Sequence, residues 1–208
     1  MLLSEEKSIT DTFYLSGGTA LAEFYLRHRY SEDLDFFSEQ EFNPEAITVL
    51  LKRLQSAMNV DSFTFETSFN RNLFFLRSGA DDIKTEFTYF PFARIEKGQT
   101  LGALLIDSLL DIAVNKVFTI YQKPRARDFI DLFFIMRARK EFTLPELIQK
   151  AQIKFDHHLD PLQMSAQLLK SKEAEDIPRF LMISLKDSEW RDFCRAEAKK
   201  LAESVLSK

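Results

Sequence analysis

The sequence predicts an α+β fold, a small mixed-sheet core followed by a C-terminal helical lobe. Three observations carry this. All five glycines (Gly17, Gly18, Gly79, Gly98 and Gly102) fall before residue 103, and only four of the six prolines follow it. Alternating apolar segments of strand type mix with helical periodicity up to about residue 97. Beyond that point the apolar residues recur at helical spacing, broken by short turns. The change in texture sets a boundary near Gly98, between residues 1–97 and residues 98–208.

Each element has a local reason. Residues 14–16 form a short approach to the Gly17-Gly18 turn, after which Thr19 is suited to cap a helix. In that helix Ala20, Phe24 and His28 share a stripe. Residues 33–37 read as a strand. Residues 44–58 read as an amphipathic helix with Pro44 in its first turn and Ile47, Leu50, Leu51 and Leu54 on one face. Three strands follow. Phe63, Phe65, Thr67 and Phe69 alternate, residues 73–77 form an apolar run, and residues 83–90 alternate with Lys84 and Glu86 on one side. The second half predicts helices over 104–121, 126–139, 144–154, 161–169, 178–183 and 188–206.

Composition narrows the function classes. The chain of 208 residues is 45% apolar and 29% charged, enough for a real core, and its 21 phenylalanines supply large, rigid contacts. A net charge of -4 excludes a globally basic nucleic-acid binder but not a local basic groove, which Arg27, Arg29, Lys84, Lys116, Lys123, Arg125 and Arg127 could line. The single cysteine, Cys194, can form neither an intramolecular disulfide nor a thiolate cage, and a reducing, cytoplasmic setting is expected. The opening MLLSEEKSIT lacks the apolar stretch of a secretory signal. The most apolar segment, 101–120, is interrupted by Asp107, Asp111 and Lys116, so no membrane span is expected.

The chemistry concentrates in S-G-G-T-A-L at 16–21 and D-L-D-F-F at 33–37. On a strand, Asp33 and Asp35 point to one face, about 7 Å apart. Two carboxylates held so close repel unless a cation lies between them, and magnesium is the usual oxygen-seeking partner beside phosphates. A solvated edge strand would give the same triplet. The apolar Leu34, Phe36 and Phe37, and the further carboxylate Glu86, favour the metal reading. Gly17 and Gly18 permit close approach of backbone amides to a bound anion, where an ordinary tight turn is the alternative. His157-His158, flanked by Asp156 and Asp160, reads as a polar turn, and His28 as a packing or hydrogen-bonding residue.

Five stretches together resemble a known family. G-G-T-A-L (17–21), H-R-Y-S-E-D-L-D-F-F (28–37), I-K-T-E-F-T-Y (83–89), D-I-A-V-N-K-V-F (111–118) and R-A-R-D-F-I-D-L-F-F (125–134) resemble, in this order and spacing, the AbiEii/AbiGii abortive-infection toxins. These have the nucleotidyltransferase fold of the polymerase-beta type. The resemblance implies that Gly17, Gly18 and Thr19 hold a triphosphate and that Asp33 and Asp35 hold Mg²⁺, as a two-ion site in which Glu86 is the third carboxylate. It implies catalytic roles for Lys116 and Asp128, with Arg127 and Asp131 alongside. Asp128 and Asp131 share a helix face apart from the apolar stripe and are expected to turn toward a cleft that the helical lobe completes.

The implied activity is transfer of a nucleoside monophosphate from an NTP to an acceptor hydroxyl, with tRNA as the implied acceptor and an antitoxin as the implied partner, in a toxin–antitoxin or phage-defence pair. A small-molecule or protein acceptor, or a catalytically degenerate binding module of the same fold, are the alternatives.

Overall fold

The computed structural model describes residues 2–175 and 181–206. The chain divides into two compact units, one of residues 1–20, 31–93 and 97–108, the other of residues 21–30, 94–96 and 109–208. Residues 97–108 thus join the first unit and 21–30 the second, where the change in sequence texture sets a single division at 97/98.

The first unit is built on one seven-stranded sheet. Its elements are α1 (Lys7–Thr10), β1 (Tyr14–Ser16), α2 (Gly17–Leu21), β2 (Asp33–Ser38), α3 (Pro44–Leu54), β3 (Ser62–Ser68), β4 (Arg71–Ser78), β5 (Asp81–Tyr89), β6 (Thr100–Leu101) and β7 (Leu104–Ile106). The strand order is β3-β4-β5-β2-β1-β7-β6. The β2–β5 and β1–β7 pairs are parallel, and the rest are antiparallel. One face is aromatic. Phe36 stacks on Phe87 with centroids 5.0 Å apart, and Phe74 meets Phe87 edge-on at 5.8 Å. All three are fully buried, each worth about 1.5–3 kcal/mol of transfer from water. Helix α3 begins where Pro44 takes the first position and Asn43 accepts the Glu45 N–H at 2.9 Å. It ends at Leu54, four residues before the expected end.

Three sequence expectations are revised here. Phe69 is not a strand residue: it turns the β3–β4 hairpin with φ 55 and a fully exposed ring. Residues 104–106 do not begin a helix. They form β7, with Leu105 beside Tyr14 and Ile106 beside Leu15. Gly98 packs so closely beneath this strand that a Cβ there would lie 1.9 Å from the carbonyl oxygen of Ile106. That close packing explains why 97–108 belongs with the sheet. Thr19 does not cap a helix either. The helix already starts at Gly17, and the Thr19 hydroxyl donates to the carbonyl of Asp33, tying the turn to the start of β2.

The second unit is helical. After a π-helical turn over Ala22–Leu26, which ends at a left-handed Arg27, come α4 (Leu109–Gln122), α5 (Ala126–Ala138), α6 (Leu144–Phe155), α7 (Pro161–Leu169) and α8 (Asp187–Leu206). Thr143 and Asp160 cap α6 and α7 by accepting the N–H of Glu146 and Gln163. Phe129 stacks near the fully buried Trp190, and Phe118 stacks on Phe155 at 3.9 Å. His28 lies beyond the helical stripe assigned to it and is buried. The expected helix at 178–183 falls partly on residues outside the described ones. Within its described part, Leu181 bridges to Arg29. Among the described residues no helix is long and apolar enough to cross a membrane.

Candidate active site

The parallel register of β2 and β5 builds a polar patch on the sheet. Asp33 stands beside Lys84, and Asp35 beside Glu86. Because side chains alternate along a strand, these four share one face and Phe36 and Phe87 share the other. Leu34 and Phe36 anchor β2, so the two aspartates are presented together as expected. Lys84 Nζ lies 3.0 Å from Asp33 Oδ2 and 3.9 Å from Glu86 Oε2.

The Gly17-Gly18 turn meets this patch directly. Ser16 is the β1 partner of Asp35. Gly17 has φ +72, and a Cβ built on it would lie 2.0 Å from Asp35 Oδ2. Only glycine fits: the backbone is left-handed, and the side-chain position is filled by a carboxylate oxygen.

Glu86 is on the same face but is engaged elsewhere. Arg71 Nε and Nη2 donate to its two oxygens at 2.7 and 2.5 Å, and the Thr88 hydroxyl donates to Oε1 at 2.7 Å. The Glu86 side chain is only 7% exposed. Burial works to raise its pKa, but the hydrogen bonds from Arg71 and Thr88, with the charges of Arg71 and Lys84, outweigh burial and hold it below the ordinary glutamate value. The hydrogen bond to Glu86 raises the pKa of Arg71, and Asp35 and Asp33 add to it through their charge.

Among the described residues no three His, Cys, Asp or Glu side chains gather as a metal cage. Asp33, Asp35 and Glu86 therefore share a face without converging. The donor set of Asp33 and Asp35 nevertheless fits magnesium. Two carboxylate groups on one strand are hard oxygen donors, and magnesium commonly takes only one or two carboxylates, completing its shell with water and substrate phosphate.

The second unit holds its own buried ionic network. Lys116 donates to Asp128 Oδ1 at 2.8 Å and lies 2.7 Å from Asp131 Oδ2. Asp131 also meets Arg29 through Nε at 2.7 Å and Nη2 at 2.9 Å, and His28 Nε2 at 2.7 Å. Asp128 accepts the backbone N–H of Arg125 at 3.2 Å, capping the start of α5. Both aspartates are fully buried, where the sequence expects them to face a cleft. The reason is charge: Lys116, Arg29 and His28 supply partners inside the unit. Burial works to raise the pKa of Asp131, but Lys116, Arg29 and His28 hold it well below the usual carboxylate range. Burial likewise opposes the charged Lys116, and Asp131 and Asp128 more than compensate, raising its pKa. Lys116 is 9% exposed. Arg127, in the first turn of α5, is half-buried.

Arg71 and Thr88, the partners of Glu86, are the residues of this patch that sequence reasoning overlooked. The apolar run read from the sequence spans 73–77 and does not include Arg71. The strand pairing extends β4 two residues earlier, with Arg71 opposite Thr88. His157 and His158 follow the left-handed Asp156 that ends α6, as the polar turn predicts.

The geometry can be set beside known proteins. Residues 2–204 match the family model described as Nucleotidyl transferase AbiEii toxin, Type IV TA system. The chain is 33% identical over 149 residues to the Aquifex aeolicus (strain VF5) protein described as Uncharacterized protein aq_aa25, covering 71% of this chain and 68% of that one. The crystal structure of JHP933 from Helicobacter pylori superposes with a TM-score of 0.63 at 20% identity, over 99% of this chain and 90% of that one, a likeness of fold.

Proposed function

Because the chain belongs to the AbiEii nucleotidyltransferase family, we propose that it transfers a nucleoside monophosphate from an NTP to a hydroxyl of RNA, with tRNA as the acceptor class, in a magnesium-dependent reaction centred on Asp33 and Asp35. The acceptor oxygen bonds to the α-phosphorus, the bond to the leaving pyrophosphate breaks, and the hydroxyl proton is released. The observation that carries this reading is the placement of the paired aspartates against Gly17, whose missing side chain leaves room for Asp35 Oδ2.

Asp33 and Asp35 would hold the metal. Bound there, magnesium would stabilise charge on the entering and leaving oxygens. The backbone at Gly17 and Gly18 would receive the phosphates. Thr19 supports them at one remove, since its hydroxyl is used by the Asp33 carbonyl. In the helical unit, Asp128 and Asp131 fix the ammonium of Lys116. Support for a toxin role restrained by an antitoxin comes from the family's type IV toxin–antitoxin description.

One observation favours a second reading, a silent binding module: Lys84 already neutralises Asp33 at 3.0 Å. Incubation with labelled nucleotides, Mg²⁺ and total RNA separates the two. Label transfer that disappears in Asp35→Ala supports the enzyme. Absence of transfer with every nucleotide supports the module.

A further inference from the structure

Glu86 neighbours Asp35 in the sheet yet gives neither oxygen to it or to a shared centre. Both oxygens are taken by the parallel fork of Arg71, and one also by Thr88. A two-point charge-assisted pair fixes the plane of the guanidinium as well as its position. The carboxylate of this pair is buried, whereas the Arg71 side chain is 47% exposed. Arg71 is therefore clamped at its inner edge and open at its outer one, on the face that carries Asp33 and Asp35. That face carries Asp33, Asp35 and Glu86 beside Lys84 and Arg71, and a polyanionic nucleotide approaching them needs a cation still able to donate. Lys84 lies against Asp33. Arg71 retains N–H groups beyond the two bonded to Glu86.

We infer that Glu86 is not a metal ligand but the anchor of Arg71, and that Arg71 presents its outer edge to the polyphosphate of the nucleotide. This rests on the reading of Asp33 and Asp35 as the metal-holding pair. It assigns Glu86 a positioning role and makes Arg71 a binding residue for the triphosphate.

The test measures two affinities separately. Mn²⁺ binding is read from the free-ion signal in electron paramagnetic resonance. Nucleotide binding is read by calorimetry with the four α,β-methylene nucleoside triphosphates. Wild type, Asp35→Asn, Glu86→Gln, Arg71→Gln and Arg71→Lys are compared. Glu86→Gln and both Arg71 variants are expected to keep Mn²⁺ affinity within about twofold and to lose about tenfold in nucleotide affinity, the scale of one charged hydrogen bond. Arg71→Lys keeps the charge without the fork and guards against a folding defect in Arg71→Gln. Mn²⁺ binding lost in Glu86→Gln as fully as in Asp35→Asn overturns the inference, as does unchanged nucleotide affinity in the Arg71 variants. Mn²⁺ binding that survives Asp35→Asn, or is absent from wild type, instead overturns the reading of the aspartate pair.

Discussion

Asp35 Oδ2 fills the space that a side chain on Gly17 would need, 2.0 Å from the position of its Cβ. The Gly17-Gly18 turn and strand β2 are thus fitted to each other at the level of a single methyl group. Gly17→Ala must displace Asp35 and also hold alanine at φ +72. The left-handed backbone alone costs about 1–3 kcal/mol. Stability in urea is expected to fall by at least that amount. Nucleotidyl transfer is expected to drop about 100-fold, the penalty for misplacing a reacting group by roughly 1 Å.

Asp131→Asn is expected to be among the most destabilising isosteric changes in the second unit. It leaves Lys116, Arg29 and His28 around a neutral group in a site that is fully buried. Breaking such a network costs about 3–5 kcal/mol. A denaturation midpoint equal to that of wild type would contradict the structural role.

The same network predicts a pH dependence. Asp131 and Asp128 are held below the usual carboxylate range in the folded protein, against about 3.9 when unfolded. Their stabilisation is therefore fully present above that value and is lost as pH falls through the lower folded values. Lys116 acts in the opposite direction. Its raised pKa gives stability that is full below the unfolded value of about 10.4 and fades as pH rises through the folded one. Urea midpoints measured from acid to alkaline pH should decline at both ends, and Asp131→Asn should flatten the acid limb.

Lys84→Gln removes the ammonium that lies 3.0 Å from Asp33 Oδ2. Divalent-ion affinity is expected to rise about fivefold, the scale of roughly 1 kcal/mol at the upper end of surface ion pairs. Mn²⁺ titration of the variant checks this, and a weaker affinity would mean that Lys84 organises Asp33 instead of competing for it.

Cys194 is buried, and burial pushes its thiol up to about 12. The native protein should not react with a disulfide reagent at pH 8, whereas the urea-unfolded chain should react at its single cysteine.

Much of this was legible in the sequence, and the limits have physical causes. The shared face of Asp33 and Asp35 was readable because Leu34 and Phe36 must point the other way. The side of β5 that carries Glu86 was readable for the same reason, through Thr85 and Phe87. The fit between Gly17 and Asp35 was not, because it depends on the register of β1 against β2. Arg71 was missed because Arg71-Asn72 is polar and its strand is held by pairing with β5. The run 104–106 is too short for periodicity to tell strand from helix, and only the close approach of Gly98 and the pairing with β1 decide it. Asp128 and Asp131 were correctly placed three apart on one face. Their inward direction was hidden, because Lys116, His28 and Arg29 come from elsewhere in the chain.

The most direct test is a crystal structure with Mn²⁺ and an α,β-methylene nucleoside triphosphate, read by anomalous scattering. The account predicts a manganese peak within about 2.0–2.3 Å of carboxylate oxygens from both Asp33 and Asp35, with Glu86 still paired to Arg71. A peak coordinated by neither aspartate would contradict it.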